Sequence, residues 1–246
     1  MENQAQQQKE ETTLQQSSKT STQHNDEDYQ SKLSKHEYWE SNFELELKNF
    51  EQHGDDGEVW FGEDVQKKSV LYILSNYPVE ENADKVHVLD VGMGNGAFLF
   101  KLAKKGYQNL KGIDYSEYSV RLSKKIQESQ DYAQNVQFEY QNAFDHIEEA
   151  EYDIIHDKGT FDVIVMNPEL SNDAYAEAIR FKLKKGGIFI ITSCNCTSEE
   201  LDSIYVKKGL FKKKDEIKGY KSFKFGGVVG QVVSTNVYTA DFADDE

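Results

Sequence analysis

Apolar positions along the chain follow one rhythm near the start and another afterwards. From Lys35, the residues Tyr38, Trp39, Phe43, Leu47 and Phe50 recur at helical spacing, which predicts an amphipathic helix. The stretch "HGDDGE" then interrupts the pattern. A second helix is predicted over Asp64–Tyr77, with Val65, Val70, Leu71, Ile73 and Leu74 toward a core and Pro78 just beyond its end.

After Pro78, short apolar runs alternate with amphipathic ones. "VHVLDVG", "LKGIDYS", "VQFEYQNAF", "YDIIHDKG" and "IFIITSCN" read as strands; "GAFLFKLAKKG", "YSVRLSKKIQES" and "DAYAEAIRFKLKKGG" read as helices between them. Regular alternation of this kind makes a parallel sheet with helices on both faces. Two further β-rich runs, around "YKSFKFGG" and "GQVVSTNVYTADF", are expected to form an antiparallel hairpin at the sheet edge through Gly226, Gly227 and Gly230. The predicted fold class is α/β: a seven-stranded, Rossmann-like, mostly parallel sheet with a C-terminal antiparallel hairpin. Residues 1–34, rich in Gln, Ser, Thr and acid, are too polar to offset their ordering entropy and are expected to be a disordered tail. The folded domain is placed at 35–246, with 35–77 as a helical segment that contributes to the site.

Candidate chemistry lies where strands end. After "VHVLDVG", Gly92, Gly94 and Gly96 fall within five residues, and the acid Asp90 precedes them. Glycine lets a ligand approach the backbone, and a strand–turn–helix places that ligand at the carboxyl edge of a sheet. The spacing is not that of a dinucleotide-binding turn, and Asp90 would repel a pyrophosphate; it suits a ligand with a positive group. No Walker-type Lys-Ser/Thr follows, which argues against a nucleoside triphosphate. Asp114 ends the next predicted strand, where a carboxylate can accept bonds from ribose hydroxyls. Asn142 ends the third, where its amide can bond an adenine edge beside the N–H groups of Ala143 and Phe144.

Charge narrows the partners. The 246-residue chain has a formal net charge of −16, which disfavours nucleic acid and anionic membranes and suits a basic protein. The one basic run, "KKGLFKKK" (207–214), reads as a solvated helix end or hairpin flank. Cys194 and Cys196 are the two cysteines, a pattern that fits a reduced, cytoplasmic protein and makes a poor zinc signal; no metal site is expected. No apolar leader or membrane span is evident.

Together, "EYW" (37–39), "GDDGEVWFGED" (54–64), "LDVGMGNGAFL" (89–99), "GIDYS" (112–116), "DKGTFD" (157–162) and "ITSCNCT" (191–197) resemble a class I S-adenosylmethionine-dependent methyltransferase. Within that class the chain is similar to the lysine methyltransferases of translation elongation factor 1-alpha, over about Lys35 to Phe242. Two positions depart from that pattern: Asn142, where many such proteins carry Asp, and Cys196, where Trp is frequent.

The resemblance implies S-adenosyl-L-methionine as cofactor. Gly92 and Gly94 would pass close to its methionyl part, Gly96 would start the helix tightly, and Asp90 would meet the amino group directly or through water. Asn95, Tyr115 and Asp157 join this cofactor set. Asp157, ending the fourth strand, is the first choice to orient the substrate amine, the other reading being a cap on the turn "DKGT". Trp60 and Phe61 are candidates to roof the cofactor and line a lysine channel. Tyr38 and Trp39 are read as core anchors, His156 as solvated or locally bonded, and Lys158 carries no catalytic assignment. The implied substrate is elongation factor 1-alpha, acted on by a monomer with no stable nucleic-acid or membrane partner. The alternatives are another basic protein, nucleic acid, or a non-catalytic module of the same fold. "FDVIVMNPEL" carries part of an N-P-P-aromatic signature for methylating adenine or glutamine amides, but lacks the second proline and the aromatic; a loop or short helix is expected there.

Overall fold

The computed structural model describes residues 32–146, 150–207, 209–220, 222–225 and 228–240. The predicted tail up to residue 31 lies outside them. Two helices come first, α1 (His36–His53) and α2 (Glu63–Asn76), then a short α3 (Val79–Asn82). The alternating part runs β1 (His87–Val91), α4 (Ala97–Lys105), β2 (Asn109–Asp114), α5 (Glu117–Gln127), β3 (Gln137–Tyr140), β4 (Tyr152–Lys158), α6 (Thr160–Met166), α7 (Asn172–Lys182) and β5 (Leu183–Ser193). It is followed by α8 (Ser198–Tyr205), β6 (Phe211–Glu216), β7 (Ser222–Phe225), β8 (Val228–Gln231) and β9 (Ser234–Ala240). Local chemistry sets several boundaries. Ser116 caps α5 by accepting from Ser119 N at 3.2 Å, and Thr197 and Glu200 form a capping box on α8.

Seven strands lie in the order β3-β2-β1-β4-β5-β9-β6. The first five are parallel; β9 runs antiparallel to both β5 and β6. Strand periodicity sends alternate side chains to two separate cores. On one face, Val88, Ile154, Ile188, Ile190 and Val237 pack with α1, α2, α4 and α5. On the other, Leu89, Ile155, Phe189, Ile191 and Tyr238 pack with α6, α7 and α8. Burying each such side chain contributes about 1.5–3 kcal/mol.

Antiparallel C-terminal strands are present, but their pairing differs from the expected edge hairpin. The last strand, β9, is inserted between β5 and β6, because its alternating residues Val237 and Tyr238 have a core to fill on each face. The outer strand is β6, built from the basic run; Lys213 pairs there with Asp202 at 2.9 Å. Among the described residues, β7 and β8 pair only with each other, as a separate two-stranded sheet. Leu71, expected in the core, is 50% exposed, since α2 buries the stripe Val65, Val70 and Ile73 instead.

Candidate active site

A cavity of about 530 Å³ opens at the carboxyl ends of β1, β2 and β4, a size suited to a small-molecule cofactor. Its floor is the glycine turn after β1. Gly92 has φ 64, and a Cβ there would lie 2.0 Å from Thr160 Oγ1, so only glycine fits. Thr160 in turn donates to Val91 O at 2.8 Å, which locks the turn against α6. Gly94 N donates to Asp114 Oδ2 at 3.0 Å, and Ser116 N to Asp114 Oδ1 at 3.0 Å. Each carboxylate oxygen keeps further acceptor capacity. Burial outweighs these bonds and pushes Asp114 up to about 6.

Eleven of the predicted site residues share the wall of this cavity: Trp60, Phe61, Asp90, Gly92, Gly94, Asn95, Asp114, Tyr115, Asn142, Ala143 and Phe144. Asn95 Nδ2 donates to the carbonyls of Asp56 at 2.9 Å and Glu58 at 3.4 Å, tying the turn to the loop that carries Trp60 and Phe61. The Tyr115 hydroxyl is buried without a hydrogen-bond partner among the described residues. Asn142 Oδ1 accepts from Phe144 N at 3.0 Å, so that N–H is committed within the turn rather than offered to an adenine. Buried Lys182 donates to the carbonyls of Ala143 at 3.0 Å and Asp145 at 2.5 Å, bracing the same loop from α7.

Two predicted residues stand off the cavity. Gly96 caps α4 at φ 75 beneath the turn, where an added Cβ would meet Phe138 at 3.0 Å; its role is packing. Asp157 is wholly buried on the α6–α7 face. It accepts from Thr160 N at 3.0 Å, Phe161 N at 3.1 Å and Tyr175 Oη at 2.5 Å. Its carboxylate ties α6 to α7, and it is not among the residues that line the cavity. Burial is also the main reason that it is pushed up to about 7, against the lowering effect of these bonds.

Other residues complete the wall. Leu33 and Ser34, placed in the tail by composition, line the cavity, as does Trp39. Trp39 Nε1 donates to Leu33 O at 2.7 Å, and its ring meets Trp60 edge-on at 4.9 Å. Their signal was the apolar spacing of α1, which equally fits a core. Asp162 also lines the cavity; it accepts from Ser193 Oγ, from Cys194 N at 3.1 Å and from Asn195 N at 3.2 Å. It thereby fixes Cys194 and Asn195 at the wall after β5. Behind Asp90, His156 Nδ1 lies 2.7 Å from Asp90 Oδ1. Asn167 closes α6, a helix rather than a strand, so the partial N-P-P motif does not follow the fourth strand.

Two buried carboxylates, a glycine turn and an aromatic roof on one sheet edge fit a cofactor with a cationic end and a ribose. They define the class I S-adenosylmethionine-dependent methyltransferases. A family model described as a methyltransferase domain matches residues 82–238. EEF1A lysine methyltransferase 2 of Danio rerio is 37% identical over 212 residues, covering 85% of this chain and 88% of that protein. Protein-lysine N-methyltransferase EFM4 of Saccharomyces cerevisiae is 39% identical over 216 residues, covering 82% and 92%. The chain belongs to the methyltransferase-domain family and, within it, to the group formed with these protein-lysine N-methyltransferases.

Solved structures agree on the fold. A TehB-like SAM-dependent methyltransferase from Corynebacterium glutamicum superposes with a TM-score of 0.56 at 16% identity, covering 82% of this chain and 98% of that one. Magnesium protoporphyrin IX methyltransferase from Synechocystis, with bound SAH, gives 0.53 at 17% identity, covering 81% and 100%.

Proposed function

We propose that this protein transfers a methyl group from S-adenosylmethionine to a lysine side chain of translation elongation factor 1-alpha. The observation that carries the reading is the single cavity wall shared by Asp90, Asp114 and the Trp60–Phe61 roof. The relatives' names supply the target. When bound, the cofactor would supply a sulfonium methyl: an unprotonated amine would bond to its carbon as the carbon–sulfur bond breaks and a neutral thioether leaves.

The chain's own residues bind and position. Asp90 takes the ammonium of the cofactor's amino-acid end, Asp114 its ribose hydroxyls, and Asn142 Nδ2 with the Ala143 N–H its adenine. A lysine amine has an ordinary pKa near ~10.4 and must shed a proton; an apolar entrance favours the neutral form. Trp60 and Phe61 give the incoming cation π-faces on its way in. Asn195, held by Asp162 at the cavity wall, takes the amine-orienting role in place of Asp157, which lies off that wall.

The acidic net charge supports a basic protein partner, with salt weakening the encounter. Among the described residues no helix is long and apolar enough to cross a membrane. The test incubates the enzyme and labelled cofactor with purified elongation factor, a lysine-blocked form of it, and RNA. Label is expected on the unblocked protein alone. Label on RNA or on the blocked protein overturns the lysine reading, and label on a different protein alone overturns the partner.

A further inference from the structure

His156 stands directly beside Asp90 in the β1–β4 register, and both side chains lie on the α4 face of the sheet. Asp90 is 4% exposed and lines the cavity; His156 is 0% exposed and lies behind it. An ionised carboxylate only accepts, so the hydrogen in the 2.7 Å contact belongs to Nδ1. The Phe98 ring stacks on the imidazole with centroids 3.7 Å apart and planes 12° from parallel. Nε2 is buried with no partner among the described residues. A hydrogen there would be stranded, which selects the tautomer that donates from Nδ1. The ring is thus fixed in orientation by Phe98 and in tautomer by its surroundings.

We propose that His156 is a positioning residue for cofactor binding. It holds Asp90 through Oδ1 and so presents the second oxygen to the ammonium of the cofactor's amino-acid end. This rests on the reading that Asp90 meets that ammonium. Without His156, the carboxylate loses the donor that aims it and is free to rotate.

Two ligands separate this role from mere packing. S-adenosylhomocysteine carries the amino-acid end; 5′-methylthioadenosine has the same adenosine and lacks that end. Dissociation constants for both are measured by titration calorimetry on the full chain. His156→Phe keeps a ring against Phe98 and removes the Nδ1 donor. It is expected to weaken S-adenosylhomocysteine about tenfold, the loss of one charged hydrogen bond, and to leave methylthioadenosine within about twofold. His156→Asn, whose amide can stand where Nδ1 stood, is expected to restore most of the affinity. If the Phe variant does not fold, His156→Gln replaces it, because its amide reaches the Nε2 position and leaves Asp90 unpaired. Equal losses for both ligands, or none for either, overturn the proposal. Asp90→Asn, run in parallel, tests the underlying reading. An unchanged ligand ratio there removes the role of Asp90 itself, whereas a ratio collapsed by Asp90→Asn and untouched by His156→Phe overturns His156 alone.

Discussion

At the end of β4, His156 and Asp157 stand next to each other and face opposite sides of the sheet. His156 meets Asp90 and the ring of Phe98, behind the cofactor wall. Asp157 meets the first N–H groups of α6 and the hydroxyl of Tyr175, in the other core. By residue type alone, an acid at a strand end looks functional and an isolated histidine looks incidental. Strand geometry reverses that. Successive side chains point to opposite faces, so one position of offset decides which residue contacts Asp90 at the cavity and which contacts α6 and α7. An acid after β4 also has a ready structural employment, because the first turn of the next helix needs acceptors.

The sharpest way to break this comparison is to alter Asp157. Asp157→Ala strands the Tyr175 hydroxyl and the α6 N–H groups, and is expected to lower unfolding free energy by about 3 kcal/mol. Denaturant titration reads this loss. Asp157→Asn keeps an acceptor for α6 and is expected to leave cofactor affinity and turnover nearly unchanged. If that variant is folded, binds cofactor normally and has lost most turnover, Asp157 acts on substrate after all. The same pair gives a pH signature. Desolvation raises Asp157 to about 7 in the folded protein, from an ordinary value of 3.8. Between those values the folded state holds more protons than the unfolded one, so this group's contribution to stability falls as pH rises through the window. Unfolding of the wild type across pH 5 to 8 is expected to show that downward slope relative to Asp157→Asn. Parallel profiles would refute it.

On the cofactor face, Asp114→Ala is expected to weaken S-adenosylhomocysteine by about 1.5–3 kcal/mol, the range for hydrogen bonds to a charged group. Calorimetry checks it; unchanged affinity in a folded variant removes Asp114 from the site. On the substrate side, Asn195→Ala is expected to lower kcat about tenfold, one well-aimed hydrogen bond's worth, with cofactor affinity retained. A kcat equal to wild type would leave the amine without this partner.

The glycine turn, Asp114 and the βα alternation were legible in sequence because each has a local cause. A turn needs positive φ at Gly92, a carboxylate ends a strand, and periodicity marks each element. What escaped depends on contacts far apart in the chain. Asp90 and His156 are joined only by the β1–β4 register. The place of β9 between β5 and β6 depends on which strand fills both cores, and the alternation of "STNVYTA" fits an edge as well as an interior. Trp39 could not be told from a core anchor, since the same apolar stripe packs α1 and walls the cavity.

The smallest expected effect concerns the roof, whose construction contrasts with the floor. The floor turns on glycines at no steric cost, whereas Phe61 in the roof adopts φ 64, a conformation that costs a non-glycine residue about 1 kcal/mol or more. Such a residue stays in place only if its surroundings hold it. Two ties do so: Asn95 from the glycine turn, and Lys158, whose Nζ donates to Trp60 O at 2.9 Å and lies 5.7 Å from the centre of the Phe61 ring. Burial, the largest influence on Lys158, draws its pKa below the ordinary lysine value, so a firm acceptor matters to this ammonium. Lys158→Met keeps the apolar stem and removes the donor. The loss expected is about 1 kcal/mol, read as a severalfold rise in KM for the protein substrate, with thermal stability almost unchanged because the roof buries little of either core. Equal KM values for variant and wild type would mean that the roof holds its strained geometry without Lys158, and that Asn95 alone joins floor to roof.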